Sequence, residues 1–449
     1  RHQWQALRTG DCDFLPTPQT PQALVLRRHQ GEQVLEFYAH GDDQSCQLEL
    51  HPDAPSGCTP LLTLGDVQLD ERSQQLRLGA YSAVLVQRHA TAPVQQRLSD
   101  LTLHNRSHCA QAFRDGQLAP LTLPTHLYLT VTERCNLRCQ HCITEAPQRT
   151  AEGRAKTMQP WLLDALQEAL AAADYFAFSH GGESLVAPIF FELLARIKKA
   201  RADKPYDVHL LTNGMLLTPQ TVDRLLDLGV SSLAVSLDGA EPATNDFIRL
   251  GADLGRIVHN LKHAVQLRQL RGANLRIGVS TVVADLNVEE LSALGRLVVD
   301  LGLDWLKVEE LYPVGVFSRQ HLLQPRDQRL TAAMQALREV IEPAGVLLID
   351  HLSPKTGCPC QIADDPKLLE FRLADDFGSR AHFRPCRAAW EQACIDPDGT
   401  VHPIDYFQPA LGSLLHTPLL DLWHGPAMQQ RRARTLMQLA EPMRRACPH

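Results

Sequence analysis

The stretch that decides the fold is residues 127–142, LYLTVTERCNLRCQHC. It joins an apolar, strand-like run to three cysteines, Cys135, Cys139 and Cys142, at spacings of four and three residues. Thiolates are the soft ligands that hold iron–sulfur clusters. Three thiols on one tight loop can hold three irons of a [4Fe–4S] cube and leave the fourth iron open to a small molecule. The spacing alone leaves two alternatives open: a zinc site that uses the Cys-x-x-Cys pair, and incidental thiols.

Strand and helix patterns alternate on both sides of this loop, from residue 121 to about residue 345. The candidate strands are 125–131, 174–179, 207–212, 232–237, 275–283 and 304–311. The candidate helices are 161–173, 189–200, 219–228, 254–270, 288–301 and 326–341. Six strand–helix units in series predict an α/β fold with a parallel sheet and right-handed crossovers. An open, partial (β/α)6 barrel satisfies this pattern and would carry its site at the C-terminal strand ends, by analogy with the full barrel. A flat doubly wound sheet satisfies it as well.

The flanking zones differ in composition. Residues 1–120 show short alternating segments between Gly, Asp and Pro, which predict a small antiparallel β domain without an obvious amphipathic helix. Residues 121–345 form the predicted barrel. Residues 346–449 are irregular and rich in cysteine, and we expect a cap domain there.

The overall composition excludes several classes of protein. The chain has 449 residues, 44% of them hydrophobic, enough for two or three domains. The formal charge of −7 offers no broad basic surface for nucleic acid, and no apolar run approaches the ~18 residues that a membrane helix needs. The first residues resemble neither a signal nor a transit peptide. Twelve cysteines without an export signal indicate metal binding in a reducing cytosol, so we expect a cytoplasmic protein.

The cysteine motif and four further motifs resemble those of radical S-adenosylmethionine (SAM) enzymes. The resemblance covers about residues 121–320, and each further motif follows a predicted strand. The residues that match, in order, are His141 within the cysteine loop, Gly181-Gly182-Glu183-Ser184, Thr212-Asn213-Gly214, Ser236-Leu237-Asp238-Gly239 and Arg249. Taken singly, these motifs are more often plain turns or solvated side chains. Their order at successive strand ends is what carries the resemblance.

The resemblance implies a role for each of these residues. Cys135, Cys139 and Cys142 would hold a [4Fe–4S] cluster whose open iron chelates SAM. Gly181, Gly182 and Glu183 would receive the methionine amino group, because paired glycines allow close approach and a carboxylate holds an ammonium. Two further sets complete the site: Asn213, Ser236 and Asp238 near the ribose and methionine, and Arg249 and His141 near the carboxylate and the adenine.

The C-terminal zone resembles the SPASM and twitch caps, which hold auxiliary iron–sulfur clusters. The matching run begins at Cys386, turns as a hairpin at Asp398-Gly399 and continues to Cys447. Ile404 and Asp405 stand where the twitch pattern expects a second cysteine. The resemblance therefore implies one auxiliary cluster held by Cys386, Cys447, either Asp405 or Cys394, and a fourth ligand expected just after the printed residues. A twitch-like fold that lost its cluster is the alternative.

The implied activity is that of a radical SAM enzyme of oxidoreductase or isomerase type. The family's reaction is reductive cleavage of SAM to a 5′-deoxyadenosyl radical that removes a substrate hydrogen atom, with flavodoxin or ferredoxin as electron donor. Cys394, Cys358 or Cys360 would return a hydrogen atom if the reaction is an epimerisation, although a buried, inert thiol is the plainer interpretation.

The substrate is not determined by these motifs. The first expectation is a ribosomally synthesised peptide that is crosslinked, oxidised or epimerised. The alternative is a sugar, aminoglycoside or nucleoside of natural-product biosynthesis. A non-catalytic iron–sulfur or zinc-binding protein is the alternative of another class, and it has no need of the SAM-contacting motifs.

Overall fold

The computed structural model describes residues 11–15, 23–30, 33–41, 43–49, 59–70, 75–78, 80–89, 92–202, 204–323, 327–352 and 387–438. Two compact units divide the chain. The first contains residues up to Leu103 together with 416–418, and the second contains the remainder from His104.

The first unit is built of antiparallel strands, as the alternating pattern predicted. Its strands are β1 (Asp11–Leu15), β2 (Ala23–Gln30), β3 (Gln33–His40), β4 (Cys46–Glu49), β5 (Thr59–Leu64), β6 (Val67–Asp70), β7 (Gln75–Leu78) and β8 (Ala83–His89). They form a five-stranded sheet in the order β1-β2-β3-β8-β5 and a three-stranded sheet in the order β4-β7-β6.

A 24-residue helix, α1 (Ala92–Asp115), follows these strands, in a zone where the sequence showed no obvious amphipathic helix. Its second half buries Asn105, Cys109, Ala112 and Phe113, which recur at helical spacing. Two of these residues are small and one is polar: the Asn105 amide donates to the Leu123 carbonyl at 2.8 Å. A hydrophobic periodicity was therefore hard to see in the sequence.

The second unit contains a ten-stranded sheet. Its strands are β9 (His126–Leu129), β11 (Tyr175–Phe178), β12 (Asp207–Thr212), β13 (Ser232–Ser236), β15 (Arg276–Val283), β16 (Trp305–Glu310), β17 (Leu347–Asp350), β18 (Gln392–Ile395), β19 (Thr400–Pro403) and β20 (Gly412–Ser413). A separate two-stranded ribbon pairs β10 (Arg138–Cys139) with β14 (Arg249–Leu250).

The strand order β17-β16-β15-β13-β12-β11-β9-β18-β19-β20 confirms the open, partial barrel. All six predicted strands are present within about two residues of the expected bounds, and their pairings are parallel. β17 adds a further parallel strand beyond β16, within the zone that the sequence assigned to the cap. On the other edge, β18 pairs in parallel with β9, so the predicted hairpin at Asp398-Gly399 extends the same sheet.

The helices of this unit include the six that were predicted, the first of them divided into two short helices. They are α2 (Ala146–Ala151), α3 (Pro160–Ala165), α4 (Gln167–Ala172), α5 (Ile189–Ala200), α6 (Pro219–Asp227), α7 (Pro242–Ile248), α8 (Leu254–Arg271), α9 (Leu291–Asp300), α10 (Val316–Gln320), α11 (Gln328–Ile341), α12 (Ala388–Glu391), α13 (Leu419–His424) and α14 (Pro426–Gln438). Local signals set their ends. The Asp253 carboxylate caps α8 by accepting from the Arg256 N–H, and Gly272 ends it with φ +56°.

The indole ring of Trp305 fills part of the concave face of the sheet. Trp305 is buried against Ala234 and Ile349. Gly278 on the neighbouring strand makes room for it, because a Cβ there would lie 2.0 Å from the indole ring. Since Trp305 begins β16, it fills the N-terminal end of the concave face, and the C-terminal strand ends remain for the site.

Candidate SAM and cluster site

The three cysteines of the decisive stretch lie on the loop that follows β9. None of them is in a disulfide, and all three are partly exposed. They are close enough to influence one another electrostatically, and burial raises the pKa of the Cys139 thiol to about 12 against the opposing effect of Arg249. In the described ranges, no three His, Cys, Asp or Glu side chains converge on a single metal ion.

The backbone N–H groups of Gly182 and Glu183 fasten this loop to the end of β11. The Gly182 N–H donates to the Thr132 carbonyl and the Glu183 N–H to the Arg134 carbonyl, both at 2.8 Å. A Cβ on Gly182 would lie 2.0 Å from the Arg134 carbonyl oxygen. Gly181 and Gly182 thus allow two loops to pack backbone against backbone. Their predicted close approach to a ligand stays a prediction.

Gly182→Ala is therefore expected to displace the cysteine loop and to reduce the iron that the reconstituted protein retains. The forced contact is with backbone, so we expect a cost of about 1–3 kcal/mol in the free energy of unfolding. Iron analysis and denaturant unfolding measure both effects. Gly255→Ala on α8 is the control, because its Cβ would meet only the end of the Asp253 side chain, at 3.3 Å. Wild-type iron content in Gly182→Ala would contradict the assigned packing.

Glu183 is buried, and both of its carboxylate oxygens are engaged. Oε1 accepts from the Thr212 hydroxyl at 2.9 Å and from the Leu185 N–H at 3.2 Å, and Oε2 accepts from the Asn213 N–H at 2.8 Å. Burial raises the pKa of this carboxyl, and the donated hydrogen bonds oppose the rise. In this structure Glu183 braces the end of β12 against the loop after β11. Its expected contact with a methionine ammonium stays a prediction.

Asn213 connects β12 to the cysteine loop. Its side-chain amide donates to the Asn136 side-chain oxygen at 2.8 Å and lies 4.0 Å from the Cys135 sulfur. The Leu137 N–H points at the same sulfur from 3.5 Å. Hydrogen bonds of this kind stabilise a thiolate and tune the potential of a bound cluster.

Asp238, His141 and Arg249 form a buried charged group beside Cys139. One oxygen of Asp238 lies 2.7 Å from Arg249 Nε and 3.0 Å from His141 Nε2, and the other accepts from the Val282 N–H at 2.9 Å. Burial alone would raise the pKa of Asp238, but the Arg249 guanidinium, together with the contact to His141, outweighs burial and holds the pKa well below its usual range. His141, predicted beside an adenine, is thus fastened to Asp238.

The two-stranded ribbon brings Arg249 to the cysteine loop. In the antiparallel pairing of β10 with β14, Arg249 stands directly opposite Cys139. Asp238 engages its Nε, and the guanidinium carries four further N–H donors in a planar fork suited to a carboxylate.

A polar group on the concave face was not predicted from the sequence. Ser280 lies in register with Ser236 on one side and with Lys307 on the other. The Ser280 hydroxyl donates to Glu309 at 2.9 Å, and Lys307 Nζ lies 3.1 Å from the same carboxylate. His351 follows β17, 3.8 Å from Glu309. The signal in the sequence was the alternation of charged and apolar side chains along β16, a late strand of the barrel. This alternation could have indicated a polar group on the concave face.

The cap residues also meet the strand ends. The Tyr406 ring stacks on the His180 ring, with centroids 3.8 Å apart, and Phe407 stacks on Tyr312 at 5.8 Å. Burial lowers the pKa of His180 to about 4, so this ring is neutral near pH 7. Since His180 immediately precedes Gly181, the cap forms a wall beside the site.

The predicted auxiliary ligands and hydrogen donors are only partly within the described residues. Cys358, Cys360, Cys386 and Cys447 lie outside them. Cys394 is fully buried and donates to the Ile404 carbonyl at 3.3 Å. Ile404 has a left-handed φ of +67°, which is strained for a β-branched residue.

Asp405 lies next to this strained residue, and its carboxylate organises the turn that follows. It accepts from the Phe407 N–H at 2.8 Å and from the Gln408 amide at 3.4 Å. The roles predicted for Asp405 and Cys394 stay predictions.

Comparison with known proteins defines the class to which this fold and site belong. Residues 129–304 match the Radical SAM superfamily, and residues 386–448 match the iron-sulfur cluster-binding domain called SPASM. The chain is 30% identical to the AdoMet-dependent heme synthase of Methanosarcina barkeri, over 68% of this chain and 84% of that protein. The chain therefore belongs to the radical SAM superfamily and is an enzyme with a SPASM domain. Membership implies iron–sulfur clusters and SAM as cofactors.

Two further relatives extend the comparison. The PqqA peptide cyclase of Streptomyces rochei is 27% identical, over 67% of this chain and 76% of that protein. The structure of Streptococcus suis SuiB bound to precursor peptide SuiA matches with a TM-score of 0.50 and 15% identity, over 72% of this chain and 69% of that one. The SuiB likeness supports the fold.

In the part of the chain that the structure describes, no helix is long and apolar enough to cross a membrane.

Proposed function

We propose that this enzyme uses a [4Fe–4S] cluster held by Cys135, Cys139 and Cys142 to cleave SAM, and that it modifies a ribosomally synthesised peptide. The observation that carries the first part is the cross-strand pair of Cys139 and Arg249. It places a cation suited to a carboxylate beside a thiol suited to iron.

The donor set fits the cofactors. Three free thiols on one partly exposed loop suit a cluster with one open iron. When bound, the cluster and SAM supply a 5′-deoxyadenosyl radical by one-electron cleavage of the sulfonium bond. The protein contributes position, exclusion of water and electronic tuning.

Each residue then has a defined task. Asn213 and the Leu137 N–H stabilise the Cys135 thiolate, and Gly182 with Glu183 fastens the loop that carries it. Arg249 binds the SAM carboxylate, held in place by Asp238. Ser236 ends β13, two residues before Asp238 in the chain.

Ser280, Lys307 and Glu309 line the concave face next to the SAM site and would meet the substrate. Glu309 stands opposite Val282 in the strand pairing, and the Val282 N–H donates to Asp238. The carboxylates of Glu309 and Asp238 therefore lie near the same edge of the sheet. The carboxylate is partly exposed, and Lys307 and His351 outweigh burial to hold the pKa of Glu309 below its usual value. An ionised carboxylate suits an amide, hydroxyl or ammonium donor of the substrate.

A peptide substrate is supported by the name of the Streptomyces rochei relative, a peptide cyclase. The half-exposed Phe407 ring, stacked on Tyr312, offers the kind of aromatic wall on which peptide side chains pack. The predicted auxiliary cluster, with Cys386, Cys447 and Asp405 or Cys394 as ligands, would accept an electron from the substrate radical in an oxidative reaction.

A small-molecule substrate is the second candidate, because the Methanosarcina barkeri relative is named a heme synthase. The sugar and nucleoside alternatives fall in the same class. Isotope tracing separates the classes: label moves from a deuterated substrate into 5′-deoxyadenosine only with the class that the enzyme accepts.

The test of the proposed chemistry needs no substrate. After anaerobic reconstitution with iron and sulfide, a one-electron reductant and SAM are expected to yield 5′-deoxyadenosine and methionine. Chromatography of the quenched reaction measures both products. Zinc uptake with no cleavage of SAM would refute the proposal and favour a binding protein.

A further inference from the structure

Asp238 is held by its backbone as well as by its side chain. Its N–H donates to the Asn245 side-chain oxygen at 3.0 Å, and its carbonyl accepts from the Asn287 side-chain amide at 2.9 Å. Asn245 lies on α7, Asn287 follows β15, and both side chains are buried. Asp238 is therefore fixed between the helix that leads to Arg249 and the next strand of the barrel.

Asn287 ties the loop after β13 to the end of β15. Its Nδ2 donates to the Asp238 carbonyl and to the Val282 carbonyl, both at 2.9 Å, and its Oδ1 accepts from the Ala284 N–H at 2.7 Å. Both hydrogens of the amide and its oxygen thus have partners. With the amide rotated by 180°, the oxygen would face two carbonyls and the NH2 an N–H, so these partners fix the orientation of the group.

Glu290, one turn further along the chain, holds the other end of the same loop. One carboxylate oxygen accepts from the Ala240 N–H at 2.9 Å and from the Glu241 N–H at 3.3 Å, and the other accepts from the Thr244 hydroxyl. Because these donors lie just before and within the first turn of α7, Glu290 fixes where that helix begins. Segment 287–290 therefore holds the chain that connects β13 with α7.

The chain from Asp238 to Arg249 closes on itself. Its two ends meet in the ion pair between the Asp238 carboxylate and Arg249 Nε, at 2.7 Å. This contact at Nε sets the direction of the four remaining N–H donors, because the guanidinium is planar and rigid. A shift of Asp238 would therefore turn the group that the proposed function assigns to the SAM carboxylate.

We infer that Asn287 is a positioning residue for SAM binding: it fixes Asp238, and through Asp238 it aims the Arg249 guanidinium at the SAM carboxylate. The inference rests on the proposed function. Since Asn287 acts through Asp238, its loss is expected to weaken binding of the carboxylate and to leave the contacts of the rest of SAM unchanged.

The test measures equilibrium binding to the reconstituted, unreduced protein, in which SAM is not cleaved. Asn287→Ala is expected to raise the Kd for SAM about tenfold, the equivalent of one hydrogen bond to the carboxylate. Decarboxylated SAM, which lacks only the carboxylate, is the second probe, and its Kd is expected to be the same in variant and wild type. Asn287→Ser, whose hydroxyl can donate only one hydrogen bond, should give a smaller rise for SAM.

Asn105 on α1 offers a matched control. Like Asn287 it is 2% exposed. Its Nδ2 donates to the Leu123 and Ala172 carbonyls, at 2.8 and 3.4 Å, and its Oδ1 accepts from the Leu123 N–H at 2.9 Å. Asn105→Ala thus removes the same kinds of hydrogen bond from a place outside segment 238–249. We expect it to lower the free energy of unfolding about as much as Asn287→Ala and to bind SAM with the wild-type Kd.

Several outcomes overturn the inference. Wild-type affinity for SAM in Asn287→Ala would do so. Equal losses of affinity for SAM and decarboxylated SAM, or the same loss in Asn105→Ala, would also do so, because the effect would then reflect folding stability alone. If Asn287→Ala retains too little iron, Asn287→Ser carries the same comparison. A wild-type protein that binds SAM no more tightly than decarboxylated SAM would instead count against the proposed function of Arg249.

Discussion

A Cys139→Ala protein is expected to form no detectable 5′-deoxyadenosine and to lose the visible absorbance of an iron–sulfur cluster. Cys139 is the central thiol of the three and the one paired across the ribbon with Arg249. Its removal leaves two thiolates on the loop, and a cluster site in this family needs three. The measurements are iron and sulfide analysis, the visible spectrum and chromatography of the SAM cleavage reaction.

The control for this experiment is a thiol outside the site. Cys46 is partly exposed and lies on β4 in the first unit. Cys46→Ser should therefore keep the cluster and the cleavage rate. If Cys139→Ala kept both, the assignment of the cluster to this loop would be wrong.

Asp238→Asn is expected to lower SAM cleavage by roughly 100-fold, about 2.7 kcal/mol in the activation free energy. The amide oxygen can still accept from the Val282 N–H, but the amide NH2 then faces Arg249 and His141, where the carboxylate oxygen stood. Arg249 becomes a buried cation without its counterion. Loss of one partner of such a pair costs about 3–5 kcal/mol of folding stability.

A double variant separates the two effects of Asp238. In Asp238→Asn/Arg249→Met the unpaired buried charge is gone, and the introduced side-chain amide still lies beside His141 Nε2. We expect this protein to recover much of the lost free energy of unfolding but not the cleavage rate, because the carboxylate-binding guanidinium is absent. Denaturant unfolding and the cleavage assay measure the two quantities separately. Wild-type activity in Asp238→Asn would show that Arg249 needs no anchor.

Much of the fold could be predicted because its signals are local. The six strands are apolar runs between turn residues, and the helices that connect them carry regular apolar spacing. β15 and β16, for example, were predicted within one residue of their ends. The cap hairpin was predictable for the same reason, since Asp398-Gly399 is a strong turn signal and Gly399 has φ +84°.

Elements that depend on distant partners were not predicted. β10 and β14 have two residues each, and such short strands exist only through their pairing with one another. α1 was missed because its buried positions include Asn105 and Cys109, whose polarity is satisfied by Leu123. β17 was not predicted, and residues 347–350 were included in an irregular cap, because a four-residue strand at a sheet edge depends on its pairing with β16.

For the site, the sequence by itself determined which chemistry is available: three thiols on a loop after the first barrel strand, and polar motifs at the following strand ends. Spacing along the chain is enough for that, since parallel strands bring their C-terminal ends to one edge. Only the tertiary structure decided how those groups are used. It turned Glu183 inward as a brace, fastened His141 and Arg249 to Asp238, and added Glu309 to the same concave face. These arrangements arise because a buried charge must find a partner within hydrogen-bonding distance, and the partner comes from whichever segment the fold brings there.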